Sequence, residues 1–230
     1  MVTRVLWGLL LTASLAPAQS YVKDFAKDFA HDQKRIWTAP FRMNQRQFWT
    51  LAVPLVGGTV ALKSVDRRLI DAMPNSPDQI KWSGRASNLG TAYGLGLAVG
   101  LTTVYGAAAD KPAAKTMGRN GLLALGDALA VTYALKVVTR RERPDAPRSR
   151  GSFWSGGDSF PSGHAMTAFA VATAVARHPR CPKWLGITLY GTAVVISLSR
   201  LSGNRHYPSD VYFGAFSGAL IGNMVAGTRR

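Results

Sequence analysis

Apolar positions fall into six blocks along the chain, residues 48–62, 89–109, 121–135, 165–176, 184–198 and 211–226. Strands are not needed to explain them, and helices account for all six. The block at 89–109 alone comfortably matches the roughly 20 residues that a membrane-spanning helix requires. The others run short unless polar flanks and snorkelling basic side chains extend them. Ahead of the blocks, YVKDFAKDFAHDQKRIW at 21–37 sets Val22, Phe25, Phe29 and Ile36 near helical spacing, with Lys23, Lys27, Lys34 and Arg35 between them. That pattern suits either a helix lying on a membrane surface or one packed on its own domain.

Glycine sharpens the choice between a membrane bundle and a soluble one. Gly214, Gly218 and Gly222 recur every fourth residue and present a flat ridge to a neighbouring helix, and Gly90 with Gly94 and Gly96 with Gly100 are expected to do the same. Glycine costs about 1 kcal/mol in a water-exposed helix interior, so this frequency fits tight packing in lipid or in a dense core. The pattern therefore predicts an all-α fold, a bundle of about six core helices embedded in a membrane, preceded by an amphipathic N-terminal helix. A compact soluble helical bundle is the alternative.

A chain of 230 residues is enough for one compact domain. Its formal charge of +16 favours anionic partners. The basic residues punctuate apolar stretches instead of clustering on a strongly polar chain, so a membrane surface and a phosphate pocket fit better than nucleic acid. Residues 1–18 combine Arg4, an apolar run and the ending Ala16-Pro17-Ala18, which predicts a signal peptide cut after Ala18, with an uncleaved membrane anchor as the competitor. The expected divisions are thus 1–18, an amphipathic segment 19–47 and a domain 48–230. Cys181, the single cysteine, excludes an internal disulfide and reads as structural.

Three motifs carry chemistry. In KVVTRRERP, Lys136 and Arg143 stand seven apart, near two helical turns, before Pro144 stops the helix. In SFPSGHAMTAFAV, Pro161 opens a helix whose N-terminal amides, with Gly163 and the Ser162 hydroxyl, suit an oxyanion, and His164 sits where it can protonate a leaving group. In SRLSGNRHYPSD, His206 falls just before a helix and Asp210 in its first turn, spaced so that the carboxylate accepts from one imidazole nitrogen and leaves the other free as a nucleophile. Each motif alone is commonplace: a basic helix end, a cap, a helix-dipole acid beside a surface histidine.

Together they read K-x6-RP, PSGH and SR-x5-H-x3-D, and from Asp66 onward the chain resembles the type 2 phosphatidic acid phosphatase superfamily, which also holds bacterial acid phosphatases and vanadium-dependent haloperoxidases. The resemblance implies a metal- and cofactor-free phosphatase acting on a lipid phosphate or diphosphate through a phosphohistidine. Its roles fall on His206 as nucleophile, Asp210 as orienter, His164 as acid then base, and Lys136, Arg143, Arg200, Ser162 and Gly163 as the phosphate cradle. A soluble periplasmic acid phosphatase and a haloperoxidase are the alternatives, the latter disfavoured by the short chain.

His31 and His178 have no ligand partner at metal spacing and read as solvated, whereas Asp127, inside an apolar block, is expected to pair with a basic residue. Topology is less settled. The resemblance implies an envelope protein whose site faces the periplasm. A cleaved signal followed by six crossings puts the motif loops in the cytoplasm, so residues 48–62, with Pro54 and Gly57-Gly58, are expected not to cross fully.

Overall fold

The computed structural model describes residues 2–74 and 76–229, with side chains from residue 19 onward. The cleavage expected after Ala18 therefore lies outside the described side chains. Eight helices account for the described chain: α1 (Val2–Thr38), α2 (Gln45–Asp71), α3 (Pro77–Asn88), α4 (Ala92–Ala108), α5 (Pro112–Thr139), α6 (Gly163–Ala176), α7 (Lys183–Ser202) and α8 (Pro208–Thr228). No strand occurs among the described residues.

Helix ends differ from the apolar blocks in an instructive way. By length and composition α2, α5, α7 and α8 can each cross a membrane, because each runs on into polar flanks. The chain start of α2 is fixed by a capping box, in which the Asn44 side chain accepts from Gln47 N and the Gln47 side chain from Asn44 N. Pro54 sits just behind a π turn at Phe48–Ala52, and the helix continues through Gly57 and Gly58 to Asp71. The segment expected to fall short is thus long and apolar enough to cross. The block at 89–109 contracts instead: Thr91 accepts from Gly94 N at 3.1 Å and starts α4 at Ala92, leaving 17 residues.

α6 is the axis of the bundle. Its 14 residues, GHAMTAFAVATAVA, are apolar on every side, and ten of them are buried. Met166, Ala170 and Ala174 meet Leu123, Ala124, Ala128 and Val131 of α5 and Ile221 and Val225 of α8. The ridge predicted on α8 makes this contact: a Cβ on Gly214, Gly218 or Gly222 would collide with the main-chain carbonyl of Ser162, Met166 or Ala170. The second ridge does not behave as expected. Gly100 faces open space, and the close approach between α4 and α5 is made by Gly106, Gly118 and Gly121.

The six helices α2 and α4–α8 alternate in direction, which gives the bundle two distinct ends. One end gathers the end of α2, where Asp66 bonds Ser209, with the end of α5, the start of α6, the end of α7 and the start of α8. α3, too polar to stand out in the apolar pattern, lies at this end: Ser83 Oγ meets Ser202 Oγ at 2.6 Å and Gln79 Nε2 donates to the Ser202 carbonyl at 2.9 Å.

α1 is held at the opposite end. Phe25, Phe29 and Ile36 pack against the core, so its described part is a helix docked on its own domain, although Val22 remains exposed. Asp28 pairs with Arg119 at 2.5 Å and with Arg229 at 3.2 Å, and Asp32, buried, pairs with Arg229 at 2.8 Å. Asp127 receives Gln33 Nε2 at 2.8 Å. Its partner is an amide, not the basic residue expected, and its other oxygen has no hydrogen-bond partner among the described residues. His31 is exposed as expected, while His178 is half-buried and accepts from Arg180 N at 3.2 Å. Cys181 is a free thiol packed beside Val171 and Val175, as a structural cysteine should be.

Candidate active site

Four helix termini deliver the motif residues to one place. Lys136 occupies the last turn of α5, which ends at Arg140 in a left-handed conformation, φ 43°. The chain then crosses the bundle end as a loop and enters α6 at Gly163, with Ser162 as its N-cap. Arg200 lies in the last turn of α7, and His206 sits in the turn before Pro208 opens α8.

His206 is 2% exposed. Its Nδ1 lies 2.7 Å from the Ser159 carbonyl, which can only accept, so this nitrogen carries the proton and Nε2 keeps its lone pair. Asp210 was expected to do this orienting. Its Oδ2 is 3.8 Å from Nδ1, too far for a hydrogen bond, and accepts instead from Ser159 Oγ at 2.6 Å and Tyr207 N at 2.9 Å. Asp210 therefore positions the residue that positions the imidazole, and acts on the ring through its charge. Burial holds the His206 imidazolium below the ordinary histidine range, against the opposing pull of Asp210.

Behind this pair stands a residue that the motif reading did not single out. Arg141 is 1% exposed and binds Asp210 Oδ1, Asp66 Oδ2 at 2.7 Å, Ser209 Oγ at 2.8 Å and the Gly151 carbonyl at 3.1 Å. Its guanidinium also lies 4.4 Å from the centre of the Tyr207 ring and 4.9 Å from that of Phe153. Asp66 completes the network by accepting from Ser209 N at 2.9 Å. One buried arginine thus ties α2, the loop and the start of α8 together.

The cationic residues converge in front. Arg143 and Lys136 both bind Asp158, Arg143 through Nε at 2.6 Å and Nη2 at 2.9 Å. Arg200 lies within electrostatic reach of Arg143, and its Nη1 donates to Ser87 Oγ on α3. His164, half-buried, feels the charges of Arg200, His206, Lys136 and Arg143. Among the described residues Arg200 Nε and Ser162 Oγ are buried with no hydrogen-bond partner, so each has a donor to spare. All eight residues singled out in the motifs therefore belong to one cluster at one end of the bundle.

A family model described as the PAP2 superfamily matches residues 120–229. The C-terminal part of the chain, which carries all three motifs, is similar to this superfamily. Among its relatives, lipid A 1-phosphatase of Porphyromonas gingivalis is 38% identical over 105 residues, which is 44% of this chain and 22% of that protein. Decaprenylphosphoryl-5-phosphoribose phosphatase of Mycobacterium tuberculosis is 35% identical over 97 residues, 42% of this chain and 52% of that protein. The matched segments thus span about a fifth and about half of those two relatives. Solved structures share the fold. A transmembrane PAP2 type phosphatidylglycerolphosphate phosphatase from Bacillus subtilis aligns with TM-score 0.52 at 22% identity over 89% of this chain and 94% of its own, and Aquifex aeolicus LpxE with 0.53 at 24% over 70% and 92%. The PAP2 match begins at Asn120, yet two supports of the site, Asp66 and Ser87, come from α2 and α3 upstream of it.

Proposed function

We propose that the chain is a phosphatase that removes phosphate from a membrane lipid phosphate or diphosphate, of the phosphatidate, phosphatidylglycerophosphate, polyprenyl diphosphate or lipid A type, through a covalent phosphohistidine. The observation that carries this reading is the cluster of His206 and His164 with Lys136, Arg143 and Arg200 at one end of a transmembrane helical bundle.

In this mechanism Lys136, Arg143 and Arg200 hold the nonbridging oxygens, with Ser162 and the Gly163 amide completing the cradle. Nε2 of His206 attacks phosphorus. The bond from phosphorus to the leaving oxygen breaks, and His164 gives that oxygen its proton. Water then attacks the phosphohistidine, His164 takes the water's proton, and the P–N bond breaks to release inorganic phosphate. Charge on the three pentavalent-phosphorus oxygens is met by three fixed side chains, so the scheme requires no metal. Detergent-purified protein should therefore hydrolyse p-nitrophenyl phosphate and phosphatidate in EDTA and be inhibited by vanadate. Activity abolished by chelation and restored by magnesium would count against the scheme.

We also propose that the site faces the periplasm. The alternating helices put residues 28–47 at the bundle end away from the site, hence on the cytoplasmic side. A leader removed after Ala18 would leave them outside, so of the two N-terminal alternatives this orientation favours an anchor that stays attached. In intact cells a membrane-impermeant maleimide should modify Ser155→Cys, in the exposed site loop of a protein whose Cys181 is replaced, but not Cys181 itself at the opposite end. The reverse pattern would turn the molecule over and restore a removable leader.

A further inference from the structure

The cations that the mechanism assigns to phosphate already grip an anion. Arg143 holds both carboxylate oxygens of Asp158, the fork-on-two-oxygens geometry with which guanidinium groups also bind phosphate. Lys136 Nζ stands 3.7 Å from Asp158 Oδ2 and donates to the main-chain carbonyl of the same residue. The hydrogen bonds from Arg143 hold the Asp158 carboxyl below the usual carboxylate range, so it is an anion throughout the neutral range.

The placement of Asp158 lets it leave easily. Its side chain is 59% exposed, whereas the main chain on both sides is fixed: Gly157 N donates to the Arg140 carbonyl at 3.1 Å and Ser159 N to the Arg141 carbonyl at 2.9 Å. Rotation of the side chain alone frees Arg143 and takes the carboxylate away from Lys136, which keeps its bond to the Asp158 main-chain carbonyl. The neighbouring Ser159 carbonyl, which holds His206, need not move.

We propose that Asp158 is a built-in competitor for the phosphate site, displaced from Lys136 and Arg143 by incoming substrate, and that it selects terminal phosphates against phosphodiester headgroups. The inference rests on the phosphatase reading of the site. A phosphate monoester carries about −1.5 to −2 charges at pH 7, a carboxylate or a phosphodiester only one. Exchange of Asp158 for a monoester therefore gains attraction to both cations. Exchange for a diester gains almost nothing. Since bulk phospholipids are mostly diesters, an unoccupied cationic cradle at the membrane surface would otherwise be filled by them.

Asp158→Asn keeps the shape and removes the charge. In detergent, isothermal titration with orthophosphate should give a Kd about five- to tenfold lower than wild type, the scale of a partly exposed bidentate ion pair. The KM for p-nitrophenyl phosphate should fall in parallel while kcat moves far less. Phosphatidylglycerol in mixed micelles should inhibit the variant and spare the wild type, and Asp158→Glu should recover part of the discrimination. An unchanged or raised Kd would overturn the proposal, because Asp158 would then merely hold its cations in place; equal inhibition of both proteins by phosphatidylglycerol would overturn the selectivity. If the wild type forms no phosphoenzyme, the phosphatase reading fails, but the orthophosphate titration still decides what Asp158 does.

Discussion

His206→Ala should eliminate turnover and leave no acid-labile phosphoenzyme, a loss on the order of 10⁴-fold or more if the imidazole is the nucleophile. The companion change, His164→Ala, separates the two histidines, because a nucleophile and a leaving-group acid fail differently. Loss of a general acid costs about 10²- to 10⁴-fold on a lipid phosphate, whose alkoxide needs a proton to depart. p-Nitrophenolate leaves without one. With that substrate the His164 variant should still form phosphoenzyme, and should accumulate it, since the same side chain would activate the hydrolytic water. Asp210→Asn should fall between, because the amide keeps an acceptor for Tyr207 N but removes the negative charge behind the imidazole. Rapid-quench trapping of labelled phosphate on the three variants reads all of this. Label on the His206 variant at the wild-type level would overturn the assignment.

Arg141 should be the residue whose loss most damages the fold. Truncation to alanine leaves the Asp66 and Asp210 carboxylates buried without their shared cation and the Gly151 carbonyl without its donor. Breaking a buried ion pair in this way costs about 3–5 kcal/mol. Activity should vanish with it, because Asp210 fixes Ser159, and Ser159 fixes the nucleophile. Lysine should not rescue, since a single ammonium cannot serve acceptors spread around a planar guanidinium. Arg143→Ala provides the contrast: its contacts are with the exposed Asp158, so that variant should unfold like wild type yet lose catalysis. Thermal unfolding in detergent distinguishes the two, and an Arg141→Ala protein as stable as wild type would refute the structural role.

That the motif residues gather at helix ends could be read from the chain, because prolines at 144, 161 and 208 mark those ends. Arg141 could not. In the run RRER it looks like one more basic residue at a helix terminus, and only the tertiary arrangement of Asp66, 75 residues upstream, makes it a buried hub. Asp158, a lone acid among glycines and serines, belongs to none of the three motifs. Helix α3 escaped notice because PDQIKWSGRASN has too few apolar positions to declare a face, although Ser76 caps it and Ser83 and Ser87 bury their hydroxyls at its contact with α7. Where the pattern misled, at residues 89–109, apolar Leu89 and Gly90 belong to the turn and the threonine behind them sets the true start. Hydrophobicity locates a helix in the membrane; caps decide where it stops.

The clasp between α1 and the far ends of α5 and α8 bears on the order in which the molecule is assembled. Asp28 and Asp32 are synthesised early, but Arg229, which both of them bind, follows the whole of α8. While the intervening helices enter the bilayer one after another, the first helix can find Arg119, Asp127 and the apolar face of α5, but Asp32 still lacks Arg229. The clasp on α1 is thus completed last, by Arg229. A ribosome that stalls before α8, or a truncation that removes Arg229, leaves Asp28 with Arg119 alone and Asp32 without its ion pair to Arg229.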